Sequence, residues 1–135
     1  MPALSTYDYA IVRVVPHVDR GEFVNAGVIV SCTATRFLAA RIELDEARLL
    51  ALAPDLDLTS IRHALAAVPT ICAGGAPAGA FAELSPRQRF DWLVAPRSAS
   101  IQTSPVHSGR CTDPQAALEH LMARMVRTPR ARDGA

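Results

Sequence analysis

A chain of 135 residues can bury a real core without metal or disulfide staples and leaves little room for a second domain. Half of it is apolar, which argues against a disordered body. A net charge of +1 argues against a molecule that gathers nucleic acid or acidic lipid by its overall field. No apolar run approaches bilayer-spanning length, and the N-terminal MPALSTYDY has neither the basic start nor the apolar stretch of a secretory signal. Cys32, Cys72 and Cys111 are odd in number, widely spaced and free of any CxxC, which fits a reducing cytoplasm. All 14 basic residues are arginine, so an arginine is weaker evidence here that a site needs a guanidinium.

Tyr7 to Val15 reads as a strand rich in aromatic and β-branched residues. Its alternating faces are Tyr7, Tyr9, Ile11, Arg13, Val15 and Asp8, Ala10, Val12, Val14. The break Pro16–Gly21 leads into a second strand from Glu22 to Cys32, and so short a connection predicts an antiparallel pair. Arg36 to Glu43 is a third strand candidate. Asp45 to Ala53 predicts a short helix stopped by Pro54. Asp57 or Thr59 then caps a longer helix whose stripe is Leu58, Ile61, Leu65, Val68 and Cys72.

Pro69 is expected to kink or end that helix, and residues 74–79 to form a flexible loop. That loop lacks the GK[ST] ending of a phosphate loop. Ser85-Pro86-Arg87-Gln88 predicts a capped helix start, with Phe90, Leu93 and Val94 inward. Ser98 to Ser104 alternates as a strand with one polar face. Asp113-Pro114 opens a last helix with Leu118, Leu121, Met122, Met125 and Val126 as its stripe. The order predicts an α+β fold: an antiparallel sheet starting with an N-terminal β-hairpin, helices packed mainly on one face. Residues 1–127 form the single domain, and 128–135 an Arg-bearing, frayed tail.

Few residue sets carry chemistry. His17, His63, His107 and His120 are scattered. The His107/Cys111 pair lacks further ligands at a recognisable spacing, so no metal and no cofactor is expected. No nucleophile elbow or SxxK is present. The most informative stretch is Gly21 to Val28, where Asn25 and Gly27 sit among strong strand formers. A glycine inside a strand marks a bulge or a close approach. If Val12 and Val14 pack with Val24, Val28 and Val30, Arg13 shares a face with Asn25. That pair either ties strands to loops or recognises an anion or amide. A second polar set comprises Arg89, Arg97, Ser98, Gln102, His107 and Asp113. It is either a solvated surface or one wall of a concave site. Arg124, Arg127, Arg130 and Arg132 form a basic end without a stacking aromatic, which disfavours nucleic acid.

The blocks YDYAIVRVVPHVDRGEFVNAGVIVSC and RFDWLVAPRSASIQTSPVHSG, with the closing DPQAALEHL helix, resemble the bacterial domain-of-unknown-function 3037 family. The resemblance runs from about Tyr7 to Val126. Asn25-Ala26-Gly27-Val28 stands where relatives tend to have Asn-Val-Gly-Val. The resemblance implies no established activity. It does imply an association, by gene neighbourhood, with a HipA-type kinase-like protein.

The leading expectation is therefore a cytoplasmic binding or regulatory module that partners such a protein, with a small anionic ligand as a further possible partner and no membrane. The first alternative is a small enzyme acting on a phosphorylated or nucleotide-like substrate. In it Arg13, Arg89 or Arg97 would grip the anion and Glu22 or His107 would move protons. The second alternative is nucleic-acid binding through the tail. The candidate polar site is Arg13, Glu22, Asn25, Gly27, Arg89, Arg97, Ser98, Gln102 and His107.

Overall fold

A computed structural model describes residues 3–127, so the tail expected over 128–135 lies outside the described residues. The N-terminal hairpin pairs β1 (Ser5–Val14) antiparallel with β2 (Val24–Cys32). Between them a short 3-10 turn, Val18–Arg20, closes on Gly21 in the left-handed region (φ 70°). β3 (Phe37–Ile42) adds to the far side of β2. The other edge of β1 is covered twice. β4 (Ile101–Thr103) pairs with Val12–Val14, and β5 (His107–Cys111) pairs with Ser5–Tyr9. The result is a five-stranded antiparallel sheet in the order β3-β2-β1-β4, with β5 also on β1.

The gap between β4 and β5 falls at Ser104-Pro105, where proline brings no N–H to a ladder. Buried Ser104 mends it. Its N–H donates to the Ile11 carbonyl (2.8 Å), and its hydroxyl accepts the Ile11 N–H (2.8 Å). The single strand expected over Ser98–Ser104 is thus only three residues long. β5 is an element that alternation did not predict.

Three helices lie on one face: α1 (Glu46–Leu52), α2 (Leu58–Ala73) and α3 (Pro86–Leu93). Asp45 caps α1, Asp57 caps α2, and Ser85 with Gln88 forms a complete capping box on α3. Pro69 does not end α2, which runs on to Ala73. Only the bond its missing N–H would make is lost. The segment expected as a loop from residue 74 becomes a kinked 3-10 stretch, Ala76–Glu83. On the opposite face lies α4 (Pro114–Leu121), whose last turn widens to a π turn at Met122–Val126. No helix among the described residues is long and apolar enough to cross a membrane.

The sheet therefore separates two cores. Val12, Val14, Val24, Ala26 and Ile29 pack against Leu49, Leu65, Phe90 and Leu93. Val28 and Val30 pack against Leu118, Leu121, Met122 and Val126. This corrects the expected grouping of Val28 and Val30 with Val12 and Val14. The β1–β2 register shifts between Val12 and Arg13, with Val12 opposite Gly27 and Arg13 opposite Asn25, so Ala26 is an extra residue. One inserted residue reverses the inward alternation of everything beyond it.

Candidate functional site

Two groups of the predicted residues come together, in different parts of the molecule. The first is a row across the sheet. Arg13 stands opposite Asn25 on one side and opposite Gln102 on the other. Directly opposed residues share a face, so the expected Arg13–Asn25 pairing is present. The Arg13 guanidinium stacks on the exposed Phe23 ring, 4.1 Å from its centroid. Asn25 donates from Nδ2 to the Met125 carbonyl (2.9 Å), which ties the hairpin to the end of the last helix. Arg13 Nε and Asn25 Oδ1 are buried without a hydrogen-bond partner among the described residues. Gly27 is needed here for room: a Cβ would collide with the Arg41 carbonyl and the Ile42 side chain on β3. The row ties parts of the fold together, and its unpaired atoms are sealed from solvent.

The second group surrounds an open cavity of about 410 Å³ between α2, the C-terminal half of α3 and β4. Its wall is apolar: Val12 and Ile29 from the sheet, Ala64, Ala67, Val68 and Ile71 from α2, Trp92 and Leu93 from α3, and Ile101 from β4. Ala64 and Ala67 leave the space open because their side chains are too short to fill it. The polar lining is Arg97, Ser100, Gln102 and Thr103. Arg97 stacks on Trp92 at 4.5 Å and donates from Nη2 to the Trp92 carbonyl (2.6 Å). It has no carboxylate partner among the described residues, and the wall carries no carboxylate, imidazole, thiol or phenol. A second space of about 350 Å³, toward Ser104 and Pro105, shares Arg97, Gln102 and Thr103 with the first.

The remaining predicted residues lie elsewhere. Buried Arg89 donates to the Leu84 carbonyl (2.6 Å) and the Cys72 carbonyl (3.4 Å), which staples the end of α2 to the segment before α3. Glu22 pairs with Arg20 at 2.5 Å. Exposed His107 packs against Tyr9, with ring centroids 5.5 Å apart. Glu22 adjoins the Val14 end of β1 and His107 the Tyr9 position. Five strand positions separate these, about 16 Å, so Glu22 and His107 do not come within hydrogen-bond or one-water reach of a shared substrate atom. Ser98 is exposed in the connection before β4.

Burial pushes the Cys72 thiol up to about 12, which leaves it protonated and inert at neutral pH. Among the described residues, no three His, Cys, Asp or Glu side chains gather closely enough to share a metal ion. The residues that sequence reasoning missed are Trp92, Ala64 and Ala67. Small residues next to the apolar stripe of α2 were the available signal.

Residues 9–126 match the family model described as protein of unknown function (DUF3037), and the chain belongs to that family. No curated protein and no solved structure matches it.

Proposed function

We propose that this member of the DUF3037 family is a binding module rather than an enzyme, and that the cavity under Trp92 holds an amphipathic molecule. The apolar body of that molecule lies along α2, and its anionic end meets Arg97. One observation carries the reading: the cavity combines a long apolar wall with a single uncompensated guanidinium, and its lining holds no carboxylate, imidazole, thiol or phenol to activate the Ser100 or Thr103 hydroxyl. Charge complementarity decides the sign of the ligand. A cation would sit against Arg97, whereas an anion gains charge-assisted hydrogen bonds from it.

The probe is anilinonaphthalene sulfonate, an apolar ring system carrying an anion. It should bind the native chain saturably with enhanced fluorescence. Arg97→Met should weaken binding about tenfold, the loss of one hydrogen bond to a charged group. Ala67→Phe should fill the space and abolish binding while the melting transition stays cooperative. Fluorescence indifferent to both changes would overturn the assignment.

The binding role extends to regulation of a HipA-type kinase-like partner, an association that the resemblance implies and that needs its own test. Co-expression followed by size-exclusion chromatography should show co-elution at micromolar concentration, and separate elution would remove that partner.

A further inference from the structure

On the same face of the sheet as the cavity, at the start of α3, lies a smaller space of about 160 Å³. It is lined by Ser31, Thr33, Arg36, Phe37, Ser85 and Pro86, together with Arg87. From this space we infer a second, separate site: a pocket for a tetrahedral oxyanion, taking inorganic phosphate or the phosphoryl end of a small phosphate monoester.

The donors come from three elements. Ser31, on β2, is 3% exposed, and its hydroxyl has no hydrogen-bond partner among the described residues although the residue lines the space. The hydroxyl is not one of the sealed, unpaired atoms of the molecule: it opens onto the space, where an acceptor from a ligand would take the place of water. The α3 N-terminus supplies the second contribution. Pro86 has no N–H, the Gln88 N–H is taken by Ser85 Oγ, and the Arg87 N–H is unbonded at the positive end of the helix dipole. The third is charge. Arg36 makes no ion pair among the described residues, and the lining holds no carboxylate.

Arg87 is partly committed. Nη1 donates to Asp8 at 2.7 Å and Nε to Asp91 at 3.0 Å, which leaves Nη2 unbonded. Asp8 stands opposite Ser31 in the ladder, and its charge is already met by Arg87 and by the Ser108 hydroxyl at 2.6 Å. The free guanidinium of Arg36 therefore sets the sign of the ligand, and the hydroxyls and backbone N–H give it the geometry of a phosphoryl group.

Arg36 also provides a clean test. Its backbone lies in the left-handed region (φ 55°), where glycine is at ease, so Arg36→Gly removes the guanidinium without harming the fold. Inorganic phosphate should be titrated into the full-length chain at constant ionic strength and followed by amide NMR shifts. The expected result is saturable 1:1 binding that moves the Ser31 and Arg87 amides. Affinity should fall about tenfold in Arg36→Gly, with a melting temperature equal to or above the parent's, and should fall also in Ser31→Ala. Three results would overturn the site: no saturation, an equal response to chloride, or unchanged affinity in Arg36→Gly. Arg97→Met should leave phosphate binding untouched, so this site and the cavity fail or survive independently.

Discussion

Of the three arginines that lie over aromatic rings among the described residues, Arg13 and Arg97 sit in contrasting surroundings. Arg13 on Phe23 and Arg97 on Trp92 have nearly the same stacking distance, 4.1 and 4.5 Å, and neither has a carboxylate partner among the described residues. Arg13 sits next to the end of β1, between two paired strands, its Nε buried, opposed by Asn25 and Gln102. Arg97 sits in an exposed connection at the rim of an open apolar cavity. A stacked guanidinium is therefore not itself a site. What makes one is an open space beside it and a surface to hold the rest of a ligand.

The largest expected effects test the layers that hold both regions in place. Leu65, on α2, and Leu121, on α4, are buried on opposite faces of the sheet. Changing either to alanine should cost about 2–5 kcal/mol in denaturant unfolding. A loss below about 0.5 kcal/mol would mean that the helix does not pack as described. Gly27→Ala comes next and strikes the contact between β2 and β3. Its new methyl must displace the β3 backbone at Arg41, at a cost of about 1–3 kcal/mol. Probe binding in the cavity should be unchanged.

Arg13→Met should lower stability by about 0.5–2 kcal/mol through the lost stacking. Arg97→Met, at an exposed position, should stay within about 0.5 kcal/mol. Equal losses at the two sites would erase the distinction between them.

The smallest effect is a pH dependence at the sheet edge beside β5. Hydrogen bonds from Ser108 and then Arg87 hold the Asp8 carboxyl below its usual 3.8. The carboxylate is thus preferred in the folded state. Its contribution is fully present above pH 3.8 and fades as the pH falls through the lower folded value. Asp8→Asn should be less stable than the parent at neutral pH, and the two should converge in strong acid.

Most of the scaffold is legible in the sequence because local rules specify it. The Asp57 and Ser85 caps, the α2 stripe and the hairpin follow from residues close in the chain. The asparagine and glycine in β2 did signal irregularity, and both readings of the glycine hold: a bulge adjoins it, and β3 approaches it closely. Which residue was extra was not legible, so Val28 and Val30 were expected on the wrong side. β5 was hidden because polar residues and Gly109 form it. What covers Gly109 is the Tyr7 side chain, whose hydroxyl a Cβ there would meet at 2.6 Å, and Tyr7 lies on a strand about a hundred residues away. The cavity was hidden for a related reason. Arg97 and Gln102 could be named as polar candidates, but open space next to alanines depends on how α2 lies over β4.

The most direct test of the central claim is a side-by-side titration of anilinonaphthalene sulfonate into the parent, Arg13→Met and Arg97→Met, with a melting curve for each. The account predicts a split. Arg97→Met should lose about tenfold in probe affinity at unchanged stability, and Arg13→Met should keep its affinity and melt at a lower temperature. Loss of probe binding in Arg13→Met, with Arg97→Met behaving like the parent, would place the site on the hairpin and contradict the account.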